Sequence, residues 1–216
     1  LELRIDEDCY SLQDLMRLGV HVGDFIAVDP QPEVLENGYI VSRHLDDKAG
    51  AAVLMGAIKA IVDNKVTLPI DCHPLFTISE EVGSGASAVL HGDVSEMLTL
   101  DNGTTAPGQN SSEFGVTLCM ADMTGPFDYH LTHHMIQLCQ EFQIPYQRDV
   151  FRYYRSDSAA AVEAGADLRT ALATFGIDGS HGWERIHWNA LESLARLVTV
   201  YMQSRPLFQR DQDDIG

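Results

Sequence analysis

From residue 39 onward the chain alternates short apolar runs of strand length with longer runs whose apolar residues recur every three or four positions. A sheet flanked by helices satisfies both periods at once, which selects an α/β fold. Helices are expected over 49–62, with Val53, Leu54, Ala57, Ile58 and Ile61 on one face, over 129–142, with Leu131, Met135, Leu138 and Phe142 in step, and over 188–202, with Leu191, Leu194, Leu197, Val198 and Tyr201. Strands are expected over 39–45, 73–79, 97–101, 114–120, 148–151 and 169–175. Further upstream, Ser11 can cap a short helix, Asp14 completes a capping-box spacing, and Gly19 ends it. A strand over 20–28 then stops at Asp29-Pro30. The expected organisation is the end of a small β-rich unit over 1–40, an α/β domain over 41–205 and an acidic tail over 206–216.

Charge narrows the partners. The chain has 14 Lys+Arg against 32 Asp+Glu, a formal net charge of −18, and no basic run that could follow a phosphate backbone. Nucleic acid and anionic membrane surfaces are therefore not expected as partners. No apolar run approaches the ~20 residues of a membrane span, and Leu1-Glu2-Leu3-Arg4 has no signal-peptide pattern. Cys9, Cys72, Cys119 and Cys139 are scattered without Cys-x-x-Cys spacing, which suits reduced thiols in the cytoplasm better than a disulfide frame or a structural zinc site.

The polar residues at the strand ends carry the chemistry. One strand runs into Asp46-Asp47-Lys48-Ala49-Gly50, the next into Glu80-Glu81 followed by Gly83 and Gly85, a third into Asp101-Asn102-Gly103, and a fourth leads to Asp178-Gly179-Ser180-His181-Gly182. Acids at strand ends are most often turn formers or helix caps. Four such ends bearing carboxylates and one imidazole also make a donor set for Zn²⁺, Mn²⁺ or Co²⁺. A carboxylate shared by two ions would hold them ~3.5–4 Å apart.

Leu45-Asp46-Asp47-Lys48-x-Gly50, Ser79-Glu80-Glu81-Val82-Gly83-Ser84-Gly85-Ala86, Leu100-Asp101, Arg155-Ser156-Asp157-Ser158-Ala159 and Ser180-His181-Gly182-Trp183-Glu184 resemble, in order, motifs of the glutamyl or tetrahedral aminopeptidases. These are dinuclear-metal peptidases of a clan that also holds leucyl aminopeptidases and carboxypeptidase-like deacylases. The likeness runs through essentially the whole chain. Leu18-Gly19-Val20-His21-Val22-Gly23-Asp24 is similar to the end of that family's inserted β-domain. Residues 42–50, 101–108 and 151–155 are similar to a bacterial branch associated with the osmoprotectant N-acetylglutaminylglutamine amide. Lys48 stands where most of the family has Arg, which keeps the charge and loses a bidentate fork.

The resemblance implies a three-layer α/β/α sandwich of zinc-peptidase type and two divalent ions, zinc first, with cobalt or manganese as alternatives. It implies that Asp46 bridges the ions, that Glu81 and His181 complete one site, that Asp101 belongs to the other, and that Glu80 is the general base. Asp47 would support these from behind, and Asp157 would contact substrate. It further implies a small peptide or amide substrate and a homo-oligomer, a dimer built through the inserted domain or a larger closed assembly.

One family ligand has no counterpart. The second terminal ligand on the Asp101 ion is a His in a His-x-Asp motif before the inserted domain, and nothing upstream of residue 39 matches it. His44-Leu45-Asp46 has that spelling and its residues alternate on one face, but Asp46 already belongs to the Asp-Asp-Lys motif, so His44 is expected to support or pack. On this reading about a third of the protein precedes the sequence, and the chain as written binds one metal poorly or not at all. His130, His133 and His134 have metal-capable helical spacing, but no carboxylate is suitably placed and a solvated face is expected. His187 is expected to open the last helix rather than compete with His181. Ser79, Ser84 and Ser111 lack the partners of a serine hydrolase. Three functions follow: a metallo-aminopeptidase, a metal-dependent deacylase or amidase of an N-acylated dipeptide, or a non-catalytic homologue lacking a ligand.

Overall fold

The computed structural model describes residues 2–208, which excludes the expected acidic stretch Asp211-Gln212-Asp213-Asp214. The chain divides into two compact units, one ending at Pro30 and one beginning at Gln31.

The first unit carries one helix, α1 (Leu12–Arg17). Ser11 caps it, its hydroxyl accepting from the Asp14 amide at 3.2 Å, while the Asp14 carboxylate accepts from the Tyr10 amide at 3.1 Å and pairs with Arg17. The spacing is that of the capping box read from Ser11 and Asp14, with the carboxylate reaching the Tyr10 amide, one residue before the cap. The strand expected over 20–28 does not form, and Val22 and Phe25 are fully exposed. Alternating β-formers do not make a strand without a neighbour to take up their amides and carbonyls.

The second unit holds two sheets. β1 (Glu33–Val34), β2 (Tyr39–Ser42) and β8 (Glu184–His187) form a three-stranded antiparallel sheet in that order. The main sheet runs β3 (Glu96–Thr104), β7 (Arg169–Ile177), β4 (Val116–Asp122) and β5 (Gly125–Pro126), with β6 (Tyr146–Val150) also paired to β4. β3 and β7 are parallel, β7 and β4 antiparallel, β4 and β6 parallel. The sheet is mixed and the fold is α/β.

Alternation along β4 and β7 assigns the two faces. Leu118, Ala171 and Ala173 join the main core with α2 (Leu45–Asp63), α3 (Tyr129–Glu141) and α5 (Trp188–Met202). Cys119 and Leu172 point the other way, toward Phe127 and Phe151. On that second face α4 (Asp157–Glu163) is pinned to β3 by the Ser158 and Thr99 hydroxyls, 2.6 Å apart. The three long helices follow the expected spacings: Val53, Ala57 and Ile61 are buried on α2, Leu131, Met135 and Leu138 on α3, and Leu194, Leu197 and Val198 on α5.

The strand expected over 73–79 is absent. Residues 71–95 run as irregular chain with a single 3₁₀ turn at Glu80–Val82, and Ile78 is 100% exposed. The apolar run Leu75-Phe76-Thr77-Ile78 has strand propensity, but among the described residues no strand offers it a ladder, and propensity alone does not hold a strand.

Candidate metal centre

Four segments deliver the site. Asp46 and Asp47 occupy the first turn of α2, where both have non-helical backbone angles and their shared peptide bond is cis. Glu80 and Glu81 form the 3₁₀ turn, which Gly83 ends at φ +80°, a left-handed angle that glycine adopts without a side-chain clash. Asp101 lies on β3 opposite Thr174 of β7, and His181 follows β7 at φ +64°.

These residues make two overlapping donor groups. Oxygen and nitrogen atoms of Asp46, Glu81 and His181 lie within 4.8 Å of one another, and so do oxygens of Asp46, Asp47 and Asp101. Asp46 belongs to both. The first group faces the cleft: His181 Nε2 is 3.2 Å from Asp46 Oδ2 and 3.6 Å from Glu81 Oε2, with the imidazole and the Glu81 carboxylate largely open. The second is deep, ending on buried Asp101. Glu80 stands beside them and belongs to neither.

Crowding is visible in the acidities. Burial raises the Asp101 carboxyl well above its ordinary value, the Tyr154 hydroxyl pulls it back, and the charges of Asp46 and Glu80 raise it again. Burial likewise raises Asp47 well above its usual range, helped by Asp101 and Asp46 and opposed by the Gly50 amide, which donates to Asp47 at 3.2 Å. Glu81 is raised by burial and Asp46, with His181 opposing. Glu80 is raised to about 7, first by burial and then by Asp157, Glu81 and Asp46. Carboxylates packed with other carboxylates as their close charged neighbours are costly unless a cation or protons join them. This all-oxygen-plus-imidazole set fits a hard or borderline divalent cation.

Sequence reasoning assigned no role to Glu184. It is 1% exposed, and its carboxylate accepts from the amides of Leu45 at 2.6 Å, Asp46 at 3.1 Å and His181 at 3.0 Å. One side chain thus sets the backbone of a candidate ligand from each of two segments, and Ser180 adds a hydroxyl to Asp46 Oδ2 at 3.2 Å. No local spacing announces a contact across 139 residues of sequence. Replacing Glu184 with Ala would orphan three donors around a buried hole, at an expected cost of about 3–5 kcal/mol. A thermal melt should show the midpoint falling by about 10 °C; an unchanged midpoint would remove Glu184 from this role.

The remaining histidines sort as follows. His187 caps α5, its Nδ1 accepting from the Asn189 amide at 3.1 Å, and its ring packs on Tyr39 and Phe114. His44 is exposed at φ +63° and lies in neither donor group, so the packing role expected for it is not found. His133 and His134 contact the Tyr129 carbonyl and the Ser204 hydroxyl, and with His130 they lie outside both groups. A cleft of about 1180 Å³ opens over the site, lined beside the acids by Arg43, Leu54, Phe76 and Leu98. Among the described residues no helix is long and apolar enough to cross a membrane.

Known proteins are similar to this chain in sequence and in fold. YhfE, an aminopeptidase candidate of Bacillus subtilis (strain 168), is 39% identical over 204 residues, covering 94% of this chain and 59% of its own length. A TET aminopeptidase from a marine sediment archaeon of the Thaumarchaeota superposes with a TM-score of 0.82 at 22% identity, over 97% of this chain and 61% of that one. The TET1 peptidase of Pyrococcus horikoshii, which can assemble into a tetrahedron or a large octahedral shell, superposes at 0.77 and 23% identity, over 93% and 60%. At those identities the two structures establish the fold. The chain spans about 60% of the length of these relatives. The family profile described as M42 glutamyl aminopeptidase matches residues 1–197, and the chain belongs to that family.

Proposed function

We propose that the protein containing this chain is a metal-dependent aminopeptidase that removes N-terminal residues from small peptides. The observation that carries the reading is the sharing of Asp46 between two donor groups, with Glu80 adjacent to both and a member of neither. Asp46 would bridge two divalent ions, Glu81 and His181 completing one position and Asp101, with Asp47, the deeper one. When bound, such a pair supplies Lewis-acid polarisation of the scissile carbonyl and a more acidic water.

The chain's own residues do the rest. The Glu80 carboxylate takes a proton from the attacking water as its oxygen bonds to the carbonyl carbon. As the C–N bond breaks, Glu80 returns that proton to the leaving amine. The acidic cleft favours a substrate with a free, positively charged N-terminus. Residues 1–30 would form part of an inserted domain through which copies associate, and the shells of the TET1 relative support a closed homo-oligomer.

The test is metal analysis together with hydrolysis of aminoacyl anilides and of an N-acetylated dipeptide amide. Two ions per copy of the whole protein and cleavage of the free-amine substrates are expected. Cleavage of the acetylated amide alone would replace this reading with the deacylase that the residues shared with the osmoprotectant branch suggest. Metal-free, inert protein would replace it with a non-catalytic homologue.

A further inference from the structure

Glu80 and Glu81 sit on a segment that the fold alone leaves loose. Residues 78–85 belong to no strand and to no helix beyond one 3₁₀ turn, and Ile78, Glu81, Val82, Gly83 and Ser84 are exposed. Yet the two carboxylates must hold fixed positions relative to Asp46 and Asp101 if they are to serve as base and ligand.

Asp157 supplies the missing constraint. Its carboxylate is buried at the start of α4, where Oδ2 accepts from the Thr77 hydroxyl at 2.5 Å and Oδ1 from the Ala86 amide at 3.0 Å. Thr77 precedes the segment and Ala86 follows it, so one side chain closes both ends. Gly85 permits the approach, because a Cβ there would collide with both Asp157 oxygens and with the Thr77 hydroxyl. The base of the clasp is firm: Ser158, Ala159, Ala160 and Ala161 are buried, and Ser158 is held to Thr99 on β3, two residues before Asp101. Both Asp157 oxygens are engaged within the chain, which argues against the substrate contact expected from the motif.

Resting on the reading of Glu80 and Glu81 given above, we propose that Asp157 is a positioning residue. Its carboxylate closes residues 78–85 into a fixed loop and anchors Glu80 and Glu81 to the strand that carries Asp101.

The experiment compares Asp157→Ala with Asp157→Asn, reading amide hydrogen exchange, Zn²⁺ affinity and turnover in the purified protein. The Asn amide oxygen can accept from Ala86 and its NH₂ can donate to Thr77, so it rebuilds the clasp without the charge. In the wild type the Ala86 amide should be protected. In Asp157→Ala that protection should vanish while β7 amides are unchanged, and Zn²⁺ affinity should fall about 10- to 100-fold, as for other groups that orient ligands. Asp157→Asn should stay within about threefold of wild type for Zn²⁺ on the same grounds, and kcat should fall in Asp157→Ala with KM little changed. Should Asp157→Ala not fold, Thr77→Val removes one arm of the clasp and should move exchange and affinity the same way by less. Fast exchange at Ala86 in the wild type, or wild-type Zn²⁺ affinity in Asp157→Ala, overturns the proposal. A wild-type protein that binds Zn²⁺ but cleaves no aminoacyl substrate overturns the aminopeptidase reading instead, and exchange and affinity still decide the clasp.

Discussion

Glu80→Gln should retain its metals and lose about 10³-fold in kcat. The substitution keeps the shape and hydrogen-bonding reach of the side chain and removes its capacity to accept a proton, an effect worth about 10² to 10⁴ for a well-placed general base. Glu80 lies outside both donor groups, so metal content should not change. In the metal-free chain partial burial and the charges of Asp157, Glu81 and Asp46 raise it to about 7, and bound cations would offset the Glu81 and Asp46 charges and favour the ionised form that a general base needs. Glu80→Asp offers a second reading of the same site, since drawing the carboxylate back by about 1 Å should cost about 10² in rate while leaving the acid in place. Metal analysis beside steady-state kinetics checks both variants. Loss of metal in Glu80→Gln would make Glu80 a ligand, and full activity would remove it from the chemistry.

Part of this site was legible in the sequence because Asp46 and His181 border elements with strong periodic signals, whereas Glu80 and Glu81 were placed at the end of a strand that does not form and Asp101 lies inside β3. The stripes of α2, α3 and α5 place Asp46 and a layer of the core, and the largely apolar β7 ends four residues before His181. What periodicity could not supply was pairing. Leu75, Phe76 and Ile78 look like a buried strand because strand propensity is local, whereas a strand also needs a partner edge, and the described residues contain none for it. The long-range contacts of Glu184 and Asp157 were hidden for a related reason. Each works through backbone amides distant in sequence, and an amide is the same whatever residue bears it. Asp47 was read as support behind Asp46, yet the departure from helical geometry at both residues brings its oxygen into the deeper group. Adjacent side chains in a regular helix would diverge by about 100°.

Protons and metal ions should compete for the centre, so that Zn²⁺ affinity falls as the pH is lowered from 7.5 to 5.5. Asp47, Asp101 and Glu81 are all weaker acids in the metal-free chain, their pKa raised because burial and mutual repulsion disfavour the ionised forms. A divalent ion requires ionised ligands, so binding expels whatever protons they hold. Each displaced proton costs about a factor of ten in apparent affinity per pH unit, so the slope reads how many protons the ions expel. Calorimetric titration in buffers of different protonation enthalpy counts those protons directly. Affinity independent of pH would mean that the acids are already ionised, and that their crowding is relieved in some other way. The same linkage fixes the stability of the metal-free protein. For Glu80 the folded value is about 7 against an ordinary 4.5, so between those values the folded chain holds more protons than the unfolded one. Metal-free stability should therefore fall as pH rises from about 4.5 to about 7. Saturating Zn²⁺ should reverse the slope, because above neutral pH the ligands hold ions in place of protons and binding stabilises only the folded chain. Melting curves at pH 5 and pH 7.5, with and without Zn²⁺, should cross. Parallel curves would show that proton and metal do not share these carboxylates.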